Sequence, residues 1–143
     1  MNSNTGRVKQ LLADIKQDLQ HYDSLQILLQ LQHEKIIACD SNGSEEVRQR
    51  LMSLYQQLHL SAQRRHSLLC ALNLSPDSEG LKKILPCLPE RVAAQVATCW
   101  STLESRALHC QQINQRNGLL LSMQQETLQQ LIRPEPATMF YQG

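Results

Sequence analysis

Along the first quarter of the chain, apolar residues return in alternating steps of four and three: Val8, Leu12, Ile15, Leu19, Tyr22, Leu29 and Ile36, with Gln26 and His33 filling the intervening places. A seam kept up over several heptads commits a segment to a helix that must bury one side against other helices. Leu11, Leu25, Leu28 and Leu31 widen the stripe, as a helix with more than one neighbour requires. On this seam His33 reads as a hydrogen-bonded bundle residue rather than a ligand.

The run Asp40-Ser41-Asn42-Gly43-Ser44 breaks the pattern. Asn-Gly suits a tight reversal, Ser44 with Glu46 and Val47 can open the next helix, and so short a connection implies antiparallel neighbours. The second helix repeats the alternation at Val47, Leu51, Leu54, Leu58, Ser61, Arg65, Leu68 and Leu72, with Ser61 and Arg65 interrupting it midway. Arg64-Arg65-His66 reads as a solvated face rather than an anion site. Ser75 followed by Pro76 and Glu79 resembles a helix start with Pro in the first turn, and Pro86-Cys87-Leu88-Pro89 is a second stop. Residues 75–89 are therefore expected to form a bent linker holding one short helix.

A third long helix is expected from Glu90 to Ile132, with a seam of Ala93, Val96, Trp100, Leu103, Ala107, Cys110, Asn114, Asn117, Leu121, Gln124, Leu128 and Leu131. The fold class is all-α: an antiparallel helical bundle or coiled coil of three long helices, with a short helix in the 75–89 linker and an extended C-terminal tail. Residues 1–132 form the helical domain and residues 133–143 the tail. Trp100 is the only indole and should anchor the core with its N–H near a rim.

Function classes fall away in turn. The formal net charge is +1 with both signs spread along the chain, so no basic stripe exists to neutralise phosphates, and nucleic acid is not the expected partner. No apolar run approaches the roughly 20 residues that span a bilayer, and the N-terminus lacks a secretory apolar core, so a cytoplasmic location without membrane insertion is expected. The 5 cysteines (Cys39, Cys70, Cys87, Cys99, Cys110) show no C-x-x-C spacing and read as small buried or half-buried hydrophobes in a reducing compartment. Glu-x-x-His pairs, a Ser/His/Asp order and a Gly-rich phosphate loop are all missing, so the sequence implies no enzyme, no metal and no cofactor.

What remains is a surface. In the stretch from Cys110 to Met123, Asn114 and Asn117 fall three apart at seam positions, Gly118 follows, and then three leucines. Asn and Gly both cost helix stability against Ala. They read as a polar layer that fixes register, with Gly permitting close approach of another backbone, and this does not exclude a binding role. The third helix is the longest, so its end is expected to overhang and leave apolar surface uncovered, which usually marks a binding site. Arg133-Pro134-Glu135-Pro136 cannot continue the helix, and 2 aromatics, Phe140 and Tyr141, lie beyond it. The tail reads as a docking peptide, against the simpler alternative that it folds back onto the bundle.

Four features together resemble the FlgN family of flagellar export chaperones. They are Asn114-Gln115-x-Asn117-Gly118-x-Leu120-Leu121, Trp100 upstream of it, Ser67-Leu68-Leu69-x-x-Leu72, and Glu135-Pro136 leading to Thr138-Met139-Phe140. The resemblance implies an all-helical cytoplasmic protein without enzymatic activity. Such a protein binds hook-associated (hook–filament junction) proteins, holds them unassembled and delivers them to the membrane protein of the flagellar type III export gate. Carried over residue by residue, Asn114, Asn117, Gly118, Leu120, Leu121, Leu128 and Leu131 become the expected cargo surface, and Phe140 or Tyr141 the expected gate contact. The tail departs from the family pattern: Ala137 looks inserted, Phe140 stands where Tyr is expected, and Tyr141 follows. A homo-oligomeric coiled-coil adaptor, or a homodimer of the chaperone, fits the periodicity as well.

Overall fold

Every regular element in the structure, a computed structural model that describes residues 3–132, is helical. The order is α1 (Ser3–Ile37), α2 (Ser41–Ala71), α3 (Ser78–Ile84) running into a 3-10 turn (Leu85–Cys87), and α4 (Glu90–Ile132). At 43 residues α4 is about 65 Å long.

The breaks fall where expected, but their chemistry differs. After α1 the reversal is made by Cys39 in the left-handed region (φ 54°), not by Asn42-Gly43. The Asp40 amide donates to Lys35 O and the Cys39 amide to Ile36 O, satisfying carbonyls that the helix end leaves open. Asp40 then caps α2, its carboxylate accepting from the Gly43 amide at 2.9 Å, so Asn42 and Gly43 belong to the first turn of α2. The same device closes α2: Asn73 is left-handed (φ 60°), the Leu74 amide donates to Leu69 O and the Asn73 amide to Cys70 O. Asp77, not Ser75, caps α3. Gly80 is required there, because a Cβ would collide with the backbone carbonyl of Ser75.

Up to Arg65 the buried positions of α2 are those of its predicted seam: Val47, Leu51, Leu54, Leu58 and Ser61 are buried and Arg65 is half-buried, but at the end Leu69 is buried in place of the expected Leu68 and Leu72, which are half-buried. The seams of α1 and α4 are shifted by one residue at alternate places. In α1 the core side is Val8, Leu11, Ile15, Asp18, Tyr22, Leu25, Leu29, Gln32 and Ile36, and Leu12, Leu19, Gln26 and His33 are only half-buried. In α4 it is Val96, Cys99, Leu103, Arg106, Cys110, Ile113, Asn117, Leu120 and Gln124, so Ile113 holds the place expected of Asn114. The reason is the same in both helices. Asp18, Gln32 and Arg106 stand at core positions that a hydrophobic count passes over, and each finds a partner there.

Two apolar clusters result. Leu11, Ile15, Leu69, Val96 and Leu103 pack with Leu81 of α3 near one end. Leu25, Leu29, Leu51, Leu54, Leu58, Cys110 and Ile113 pack nearer the α1–α2 turn. Each such side chain contributes about 1.5–3 kcal/mol when fully buried. Between the clusters lies a polar layer. Asp18, fully buried, accepts from Ser61 Oγ at 2.8 Å and pairs with Arg65. His21 Nδ1 stands 3.2 Å from its other oxygen. The Arg65 guanidinium also lies over the Trp100 ring, 5.9 Å from its centroid, and the Trp100 indole donates to Ser78 Oγ. Arg64 pairs with Asp14 at 3.5 Å. The basic cluster is a solvated face at Arg64 and His66, which are exposed, while Arg65 turns inward, and both arginines tie α2 to α1.

Numbers fall along α2 as they rise along α1, since Asp14 meets Arg64 while Asp18 meets Ser61. Along α1 and α4 they rise together. Cys110 Sγ donates to Tyr22 O, Asn117 Nδ2 to Leu29 O and Gln124 Nε2 to Ile36 O, each pair 88 residues apart.

All 5 cysteines are free, but Cys39, Cys70 and Cys87 are exposed, against the expectation that they would be covered. Burial, and then the Asp23 carboxylate, push the Cys110 thiol up from its ordinary pKa. The thiolate is the reactive form, so at pH 8 iodoacetamide should modify Cys70 and Cys87 early and leave Cys110 intact until denaturant is added. Peptide mass spectrometry after timed alkylation checks this.

Candidate cargo surface

The distal half of α4 is fastened to α1 by amides rather than by leucines. Asn117 is buried and donates to Leu29 O at 2.8 Å and to Gln32 Oε1 at 3.1 Å, while its Oδ1 faces His33 Nδ1 at 3.3 Å. About two turns further on, Gln124 donates to Ile36 O at 2.8 Å. Asn117 is therefore a fastening within the chain. Its side chain is not presented to a partner, in contrast to its place among the expected surface residues.

The other expected residues divide by face. Asn114, Gly118, Leu121 and Leu128 are all exposed, and their steps of four, three and seven set them on one stripe beside the seam. Leu120 is half-buried at the foot of that stripe. Leu131 lies past the end of α1, since α1 stops at Ile37, the level of Gln125 in the shared 88-residue offset. The exposure is large: 42% for Leu121, 56% for Leu128, and 75% for both Leu131 and Ile132. The overhang expected from helix length is thus present, and its apolar side chains are uncovered among the described residues. Phe140 and Tyr141, the expected gate contacts, lie outside the described residues.

Leu121 and Leu128 of that stripe, with Leu120, form one wall of a groove of about 800 Å³, and Asn114 and Gly118 lie along the helix before it. Ile36 and Cys39 of α1 and its turn make the floor, and Ser41, Ser44 and Arg48 of α2 the opposite wall. Met123 adds a further exposed apolar side chain on the α4 side. Lys35, Asp40, Glu45 and Arg48 give the rim both signs of charge. Asp40 accepts from the Gly43 amide and lies 3.5 Å from Lys35, and these hold its carboxyl below the usual range. Glu45 is likewise lowered by Arg48, 2.7 Å away. Ile36 was expected only as a seam residue, Cys39 only as a covered hydrophobe, and Met123 not at all; the surplus of large apolar residues around Leu121 alone hinted at the groove.

Gly118 has an ordinary negative φ, and a Cβ added to it would meet nothing within 4 Å. The fold does not need glycine there. A glycine in a helix interior costs about 0.5–1 kcal/mol relative to Ala. Gly118→Ala should therefore raise the stability of the free protein by about that amount in urea denaturation. If another backbone does lie across this point, the same change should weaken its binding.

Among the described residues no group of three or more His, Cys, Asp or Glu side chains is placed to hold a metal ion, and no helix is long and apolar enough to cross a membrane. The family model described as FlgN protein matches residues 1–134. No curated protein and no solved structure matches the chain.

Proposed function

Because this chain belongs to the FlgN family, we propose that it is a cytoplasmic flagellar export chaperone that binds hook-associated junction proteins, keeps them from assembling early and delivers them to the export gate. The observation that carries this reading is the exposed apolar surface of Leu121 and Leu128 along an open groove, with Gly118 exposed on the same helix face just before it. An assembling segment of a polymer subunit is amphipathic, and a groove of leucine with polar punctuation is what shields it. Gly118 admits a close-lying helix, Asn114 offers it an exposed amide, and Leu120 and Leu131 extend the contact at the foot and at the overhang. Release at the gate is served by a shallow, partly polar groove rather than a deep one. Phe140 or Tyr141 makes the gate contact, and no catalytic step is involved. In architecture, we read the three long helices as a bundle in which α2 runs antiparallel to α1 and α4 shares the direction of α1.

The test is solution mass. Mixed with the C-terminal segment of a hook-associated protein, the full chain should form a defined hetero-complex. Assembly of the chain with itself, and none with that segment, would reject the chaperone reading in favour of a homo-oligomeric coiled-coil adaptor.

A further inference from the structure

We propose that the groove between α4 and the α1–α2 turn is the resting seat of this chain's own last residues, with Met139, Phe140 and Tyr141 occupying it until a partner segment displaces them. The inference rests on reading that groove as the cargo surface, and it adds an internal competitor to it.

Where the chain leaves the described residues decides the geometry. α4 ends at Ile132, one residue before Arg133-Pro134, because the residue before a proline is driven out of helical backbone and the proline has no amide to give. The groove begins just behind that point, at Leu128, and extends back to Leu120. From Ile132 back to Leu121 is about 16 Å along the helix. The eight residues from Arg133 to Phe140, two of them prolines, span about 25 Å when extended. The segment is therefore long enough for the aromatics to reach the groove.

The chemistry matches. The groove is walled by Leu121, Met123 and Leu128 and floored by Ile36. The tail offers three consecutive large side chains, two of them aromatic, with no charge after Glu135. A segment tethered this closely acts at an effective concentration of about a millimolar, far above what a second copy in dilute solution supplies, so a weak contact suffices. Loading then becomes coupled to release of the tail. A segment that fills the groove frees Phe140 and Tyr141, and an empty groove withholds them.

Cys39 reports on this directly, since it lines the groove and is exposed, while Cys70 and Cys87 are exposed but do not line it. The experiment is pulsed iodoacetamide alkylation of the full chain and of the Phe140→Ala/Tyr141→Ala variant, read by peptide mass spectrometry. Cys39 should react about five-fold faster in the variant, with Cys70 and Cys87 unchanged, and its slow rate in the full chain should not vary with protein concentration. Equal Cys39 rates in the two proteins would overturn the proposal. Protection of Cys39 that fades on dilution of the full chain would assign the groove to a second copy and overturn it equally. No cargo is present in the experiment, so its failure leaves the cargo reading intact, and failure of cargo to bind leaves the alkylation result standing.

Discussion

Leu128→Asp is expected to lower affinity for the hook-associated segment at least about thirty-fold while leaving the free protein as stable and as helical as before. The size follows from what a well-placed interface residue contributes, about 2 kcal/mol or more. The absence of a folding cost follows from its position. Leu128 is 56% exposed and lies beyond the last tie between α4 and α1, so an aspartate there meets water. Calorimetric titration, with circular dichroism as control, reads both halves. Leu120→Asp would be a poorer probe, because Leu120 is half-buried and a charge there disturbs packing as well. Unchanged affinity in Leu128→Asp would place the cargo elsewhere on the molecule.

Asp18→Ala should be the most damaging single change to the fold, costing about 3–5 kcal/mol in urea denaturation. Asp18 is fully buried, and its removal leaves the mostly covered Arg65 guanidinium without its counter-charge and Ser61 without its acceptor. Asp18→Leu combined with Arg65→Met should recover most of that loss, because an apolar pair of similar size has no charge to desolvate. If the single variant lost less than about 1 kcal/mol, the layer would have to be hydrated rather than closed. The layer also has a use that stability does not measure. With leucines on either side, a slide of one heptad between helices would still pair apolar with apolar, whereas it would part Asp18 from Arg65.

These same residues mark how far the sequence could be read. The number and extent of the long helices follow from spacing and from the Asn-Gly and Pro clusters alone. The α2 seam is legible through Ser61 and Arg65, because the four apolar residues before them set the phase, but it slips by one residue at Leu69. In α1, by contrast, Leu12 and Leu19 are available one residue from Leu11 and Asp18, and a count of apolar residues prefers them. Arg65 and Ser61, both distant in the chain, make Asp18 acceptable in a core. Asn114 and Ile113 repeat the problem in α4. The candidate site was legible where the signal was local, in a glycine that helix stability disfavours beside an excess of leucines. The facing wall was not, because which residues of α1 and α2 stand opposite Leu121 depends on how the helices slide past one another. The turn at Cys39 was missed for a simpler reason: left-handed backbone is the habit of glycine and asparagine, and cysteine gives no sign of it.

The fixed 88-residue offset between α1 and α4 governs the order in which the molecule is made. Every contact along that pair waits for the last third of the chain, whereas α1 meets α2 across a three-residue connection. Loop closure over such a distance is slow compared with hairpin formation. A ribosome-bound intermediate should therefore consist of the first two helices with one flank of α1 still bare. That flank is a transient hazard for aggregation, and it is relieved only when residue 124 has emerged from the ribosome and the final helix can zip along it.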